Sequence, residues 1–469
     1  MTARLERLEP VNLGWGAAFA GLASIVGVLA GFDPKFAIAA SIGIAFVLVV
    51  FVDLTAGLAM FACFSYLEVL QLGSTVSVGK LLGALLALGW FAYLVTREEA
   101  KTDFFNTYPA ISLVLGLFLG WCLLSTVWAV DASAVIGAFM RYLPNVILFV
   151  IVFSAVRKLR DVNLVVAGFL AGALAASVYG LMFASTEVTT HYGARLTGTN
   201  LDPNELASVL VPGMALSIGL AAGLKNRPGA QLAALGIGAC CLYTALSTGS
   251  RGGVLSLAVM LVAAILFSGR WRARVAVVSA LVASMTVFYI FALAPAEIQE
   301  RIESSSQGEE THLEPRTTLW AVGERMIRDR PVTGVGAGNF TRTAKDYVLQ
   351  PGALYRTDVV ILRPSVTHNT YLQIGSELGL VGLGLFFIVA GFSFVCAIKA
   401  ARTFERAGDI PGEAIARCLA VGLIGILVAD TFISQMYNKQ LWLLLGLGPA
   451  VLAVSVKVLD QQQKRSAAA

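Results

Sequence analysis

Hydrophobic positions along this chain do not alternate with polar ones; they come in long unbroken runs. A run of about 17–25 apolar residues is long enough to cross a bilayer as a helix. Fourteen such runs lie near residues 13–31, 36–52, 54–70, 79–95, 107–128, 134–155, 162–184, 203–223, 231–248, 251–268, 274–294, 370–398, 414–434 and 439–457. The pattern predicts an all-α polytopic membrane bundle of about 12–14 transmembrane helices. Only a tight turn at Asp53 separates the second and third runs, so one of them is expected to be re-entrant or half-length.

Polar positions collect between the runs, and one gap, 295–367, is far longer than the rest. It divides the chain into N-terminal spans (1–190), spans with arginine motifs (191–294), the large loop (295–367), C-terminal spans (368–457) and a polar tail (458–469). Inside the loop the pattern predicts a short helix over 296–303, then the polar tract SSSQGEETHLEP. An amphipathic helix follows over 317–329, stopped by Pro331, and after it a glycine-rich turn, TGVGAGNF. Loops of such length are usually functional or disordered, and ordered pieces within this one favour function.

Charge gives the spans a direction. With both termini cytoplasmic, the inside segments hold 19 of the 34 Lys and Arg, and the short outside segments hold six. The other nine lie in the large loop, which is exempt because long loops cross regardless of charge. This bias predicts that the loop faces outward. Composition agrees with a membrane protein: 57% of residues are hydrophobic and 13% charged, against about 25% charged in soluble domains. The six cysteines sit mostly in apolar runs and form neither a disulfide framework nor a metal-ligand spacing. Arg4 and Arg7 precede the first run without a clean cleavage site, so that run reads as an uncleaved helix.

Three histidines are present, and His368 alone stands where the large loop meets a new span. A neutral imidazole there is suited to taking a proton from a hydroxyl; its plainer role is to cap the helix beside Asn369. His191 and His312 read as solvated loop residues. Glu377 follows His368 by nine residues, half a revolution out of phase on an unbroken helix. It is therefore expected to face the interior and pair with a polar group of another helix.

Arginine on the outer side is the second anomaly. Arg251 lies in STGSRGGVLSL, Arg195 in GARLTGTNLDPNELA, and Arg316 opens the amphipathic helix of the loop. Guanidinium groups are forked donors suited to a diphosphate. The glycines after Arg251 are expected to let backbone approach a ligand at a helix N-terminus. The alternative for each arginine is snorkelling to lipid headgroups. Asp202 and Asn204, in LDPNE, read as a helix cap with proline in the first turn. Walker, dinucleotide, HExxH and zinc-pair motifs are absent, as are paired acidic clusters on outer loops, so neither a cofactor nor a metal is expected. Short cytoplasmic loops argue against a nucleotide-sugar enzyme and leave no sign of a nucleic-acid partner.

The order His368-Asn369, nine residues, Gly379, two residues, Gly382 resembles the signature of O-antigen ligases and the related O-antigen polymerases and protein O-oligosaccharyltransferases. STGSRGG, TGTNLDPNELAS and RTTLWAVGERMIRDRPVTGVGAGNF are similar to further segments of that superfamily, and together the similarity spans roughly 190–450. The resemblance implies transfer of a glycan from undecaprenyl diphosphate to a hydroxyl acceptor, such as lipid A–core, at the periplasmic face of the bacterial inner membrane. It implies a metal-independent, inverting displacement. His368 would act as base or position the acceptor hydroxyl, and Arg251, Arg316 and, less securely, Arg195 would bind the donor diphosphate, with Asn369 and Glu377 in support. A polymerase would use the same chemistry on another repeat unit. The rival of a different class is a flippase or transporter, which typically carries broken helices, repeats and midplane charges.

Overall fold

The computed structural model describes residues 34–66, 78–96, 104–187, 195–197, 202–296, 298–299, 315–348, 350, 354, 357–362 and 364–468, with scattered residues between 21 and 31. All regular structure among the described residues is helical. Before the large loop run α1 (Pro34–Val52), α2 (Leu54–Phe64), α3 (Val78–Thr96), α4 (Pro109–Leu124), α5 (Ala132–Ala155) and α6 (Leu159–Glu187). They are followed by α7 (Pro203–Gly223), α8 (Pro228–Ser247), α9 (Arg251–Phe267) and α10 (Arg272–Phe288). The loop contributes α11 (Pro315–Asp329) and α12 (Phe340–Val348), and the chain continues with α13 (Thr370–Arg406), α14 (Ile410–Ala429) and α15 (Lys439–Ala468). Ten of the described helices are long and apolar enough to cross a membrane; the apolar helices Ala40–Val52, Leu54–Phe64 and Arg251–Phe267 are shorter.

The half-length element is α2. Asp53 caps it by accepting from the Thr55 and Ala56 amides at 2.9 and 3.2 Å, and its 11 residues reach about 16 Å, half of a hydrocarbon core. The run expected over 13–31 falls largely outside the described residues, as do His191, His312 and most of the helix expected over 296–303.

The bundle has two polar ends. At one, Glu413 is fully buried and takes Arg270 on one oxygen and Arg417 Nε, at 2.9 Å, on the other. Arg417 also reaches Glu405 at 2.8 Å and the Phe267 carbonyl at 2.6 Å, tying together the far ends of α9, α13 and the start of α14. The other end carries the large loop. There α11, α12 and the single turn Asp358–Ile361 share a small core of Leu319, Val322, Met326, Val335, Phe340 and Tyr347.

What fastens this loop to the bundle is a break in α13. Gly379 (φ 68°, ψ −174°) interrupts the helix after nine residues, and the backbone groups freed there would be costly left unpaired. The loop and α4 take them up: Pro331 O accepts from Leu380 N at 2.7 Å. The amides of Val335 and Gly336 donate to Ser376 O and Glu377 O at 2.9 and 2.8 Å, and Trp121 Nε1 donates to Leu378 O at 2.8 Å. A Cβ on Gly379 would stand 2.1 Å from Val332 O. Before the break Gln373 to Leu378 are all buried; just after it Leu380 is 54% exposed and apolar. The exposed apolar surface of α13 therefore begins just after Gly379.

Candidate active site

His368 ends the loop and precedes α13. Asn369 caps that helix, its side chain accepting from the Leu372 amide at 3.0 Å. To enter the cap, His368 adopts φ 51°, the only left-handed non-glycine backbone among the described residues. Such a conformation costs of the order of 1 kcal/mol and persists only where neighbours hold it. Here the preceding residue is held through both its backbone groups: Thr367 N donates to Gln373 Oε1 at 2.9 Å, and Thr367 O accepts from Trp320 Nε1 at 2.9 Å. The Asn369 amide donates to Ser434 Oγ at 3.2 Å.

The imidazole is half-buried, with Nε2 3.3 Å from Ser365 Oγ. Desolvation and, after it, the positive charge of Arg316 push the His368 pKa below its usual value, while Asp202 pulls it back up. The first two favour the neutral imidazole, which is the form that accepts a proton. Arg316 occupies the first turn of α11, one turn before Trp320. A Cβ on Gly323 would stand 2.8 Å from Leu372 Cγ, so α11 lies directly on the first turn of α13.

Arg251 opens α9 immediately after its cap, Ser250, whose Oγ accepts from Gly253 N at 3.2 Å. The two glycines that follow do not open a path to a ligand. Cβ atoms there would meet Phe432 Cβ at 2.7 Å and Ala207 Cβ at 2.9 Å. Their small size admits the 430–438 segment and α7, which corrects the expectation from sequence. That same segment takes Thr370 N on Asp430 O at 2.8 Å. The starts of α9 and α13 are thus anchored on one loop.

Arg195 donates Nε to Thr248 O at 2.9 Å and Nη2 to Asn204 Oδ1 at 3.0 Å; Asn204 Oδ1 also accepts from Ser250 Oγ at 2.9 Å. Asp202 caps α7 by accepting from Asn204 N at 2.7 Å, with Pro203 in the first turn. The candidate residues therefore gather at the loop end of the bundle: Arg195 reaches Arg251's cap through Asn204, and Asp202 and Arg316 both act on His368. Beside them a cavity of about 870 Å³ lies between α6, α8 and α10. Its walls include Leu181, Leu242, Leu246, Met285 and Phe288, and among the described residues Arg195 is the one charged group that lines it.

Glu377 is buried, and its partners differ from those expected. Oε1 accepts from Gln373 Nε2 at 2.6 Å on the same helix, and Oε2 accepts from Gly338 N at 2.8 Å. The break at Gly379 draws the glycine-rich turn across this face, placing a backbone amide where another helix's side chain was expected. Sequence reasoning also missed Asp430. It is fully buried, and neither carboxylate oxygen has a hydrogen-bond partner among the described residues. Gln373, four residues before Glu377, carried a legible signal in that spacing, and Asp430 carried one as a lone carboxylate in the apolar run 414–434; Trp320 carried none. Among the described residues, no three His, Cys, Asp or Glu side chains are grouped to hold a metal ion.

Residues 236–387 match the family model described as O-antigen ligase. The matched stretch includes Arg251, Arg316, His368, Asn369 and Glu377, while Arg195 lies outside it. No curated protein matches the chain.

Proposed function

We propose that this chain, whose residues 236–387 match the O-antigen ligase family model, transfers a polysaccharide from undecaprenyl diphosphate to a hydroxyl of lipid A–core at the periplasmic face of the inner membrane. The observation that carries this reading is an apolar cavity at the loop end with Arg195 in its wall, Arg195 being tied through Asn204 to Ser250, the cap from which Arg251 opens α9. An isoprenoid chain suits such walls, and a diphosphate suits the guanidinium of Arg195 among them.

In the proposed reaction His368 takes the proton of the acceptor hydroxyl as that oxygen bonds to the anomeric carbon. The bond from that carbon to the diphosphate oxygen breaks, and its electron pair leaves with undecaprenyl diphosphate. Arg251 and Arg316 stabilise the charge that builds on the leaving group, a task preorganised donors perform well in a site of low dielectric. One direct displacement inverts the anomeric centre. No covalent enzyme intermediate forms.

A polymerase would run the same displacement with another repeat unit as acceptor. Surface polysaccharide profiling of a deletion strain separates the two. A ligase defect leaves long chains on undecaprenyl diphosphate and none on lipid A–core, whereas a polymerase defect leaves single repeat units. Wild-type chain restores the profile and His368→Ala does not; normal long-chain transfer in the deletion strain would refute the ligase reading.

A further inference from the structure

The backbone at His368 is unusual, and the groups that hold it lead away from the proposed chemistry toward the loop junction. Gly338 N donates to Glu377 Oε2 at 2.8 Å, Gln373 Nε2 donates to Glu377 Oε1 at 2.6 Å, and Thr367 N donates to Gln373 Oε1 at 2.9 Å. Every link is buried: Glu377 is 3% exposed, Gln373 2%, and Thr367 0%. The line begins in the glycine-rich turn, where Gly338 (φ 68°) has no room for a Cβ because Ala134 O would stand 2.7 Å away. Asn339 fixes that turn to the α4–α5 connection by accepting from Asp131 N at 2.9 Å and donating to Asp131 O at 3.1 Å.

We infer that Gln373 is a positioning residue for His368, with Glu377 as its anchor, and that the two transmit docking of the large loop to the imidazole. A side-chain amide is the group this position requires. It must accept from the Thr367 amide with one atom and donate to a carboxylate with the other, and the amide of Gln does both at any pH. Asn is too short to span both partners from the same Cα. Trp320 holds the Thr367 carbonyl, and the Thr367 hydroxyl bonds Asn369 and Ser434, so losing Gln373 frees the Thr367 amide, on the side of the residue away from His368. The left-handed turn that follows then has a lower-energy alternative. In the proposed reaction Gln373 touches no reacting atom.

The inference rests on the proposed role of His368 for its consequence in transfer, but not for its test. The readout is carbethoxylation of His368 by diethyl pyrocarbonate across a pH series, followed by mass spectrometry on the full-length protein in detergent. It reports the imidazole's accessibility and pKa without any substrate. Gln373→Leu is expected to change the His368 modification rate several-fold and to lower polysaccharide transfer in the complemented deletion strain by roughly 10- to 100-fold.

The decisive variant is the exchange Gln373→Glu with Glu377→Gln. A carboxylate at 373 still accepts from Thr367 N and now accepts from the amide at 377, whose oxygen accepts from Gly338 N. Every hydrogen bond is restored, the one between the two side chains with its polarity reversed, so both readouts should return toward wild type. Where Gln373→Leu fails to fold, the exchange decides alone: a folded protein with wild-type His368 reactivity supports the relay. Unchanged His368 reactivity in a folded Gln373→Leu protein overturns it, as does an exchange that folds but leaves His368 altered. Full transfer by His368→Ala would instead remove the catalytic reading and leave the reactivity result standing.

Discussion

At His368, backbone and side chain make separate demands that mutations can pull apart. Alanine at a left-handed position keeps the strain, whereas glycine relieves it. His368→Gly should therefore be more stable than His368→Ala by about 1 kcal/mol, read as a higher melting temperature, while both lose transfer. The pH dependence follows from the neighbours. A base must be neutral to work, and the His368 pKa lies below its usual value, so activity should rise with pH along an acidic limb below about 6.5. Arg316 lowers that pKa and Asp202 raises it. Arg316→Gln should move the limb to higher pH, and Asp202→Asn, which keeps a good helix cap, should move it lower. Limb positions in pH–rate profiles that shift together, or not at all, would break this assignment. The histidine, the arginines and the Asp202 cap could be picked out in the sequence because each is a polar residue out of place near an apolar run. The backbone partner of Glu377, the Gly338 amide, could not, because it depends on a break in a helix that periodicity reads as continuous.

At the scale of elements, Gly379 joins the loop to the bundle. Its positive φ and the 2.1 Å approach of Val332 O leave no place for a side chain. Gly379→Ala should cost at least about 2 kcal/mol and expose the segment around Pro331 to limited proteolysis. Gly384 lies five residues on, and a methyl added there would meet nothing within 4 Å. Gly384→Ala should stay within about 0.5 kcal/mol of wild type. Equal sensitivity at the two glycines would mean that the break does not dock the loop. The amphipathic helix of the loop was readable almost to its ends, since Pro331 stops it and its apolar face repeats at helical spacing. The glycines beside Arg251 misled because sequence does not distinguish close approach to a ligand from close approach to Phe432.

At the scale of the whole molecule, the spans were the most legible feature, since unbroken apolar length is itself the physical requirement for crossing lipid. Boundaries were harder. The run over 54–70 reads as one span, yet α2 stops at Phe64, and the run from 370 conceals the break at Gly379. Sidedness rests on the distribution of Lys and Arg. It predicts that a cysteine replacing the exposed Arg328 on α11 reacts with a membrane-impermeant maleimide in spheroplasts, and that one replacing Lys464 on the tail reacts only after lysis. The opposite pattern would invert the topology and place the site in the cytoplasm.

Transfer itself is the central claim, and its most direct test is release of undecaprenyl diphosphate. Purified chain in liposomes would be given undecaprenyl-diphosphate-linked glycan and lipid A–core, with and without a chelator. Free undecaprenyl diphosphate should appear in step with glycosylated acceptor, unaffected by the chelator, and slow by about 100-fold or more in His368→Ala. Undiminished release by His368→Ala, or glycan crossing the bilayer with no release at all, would contradict that claim.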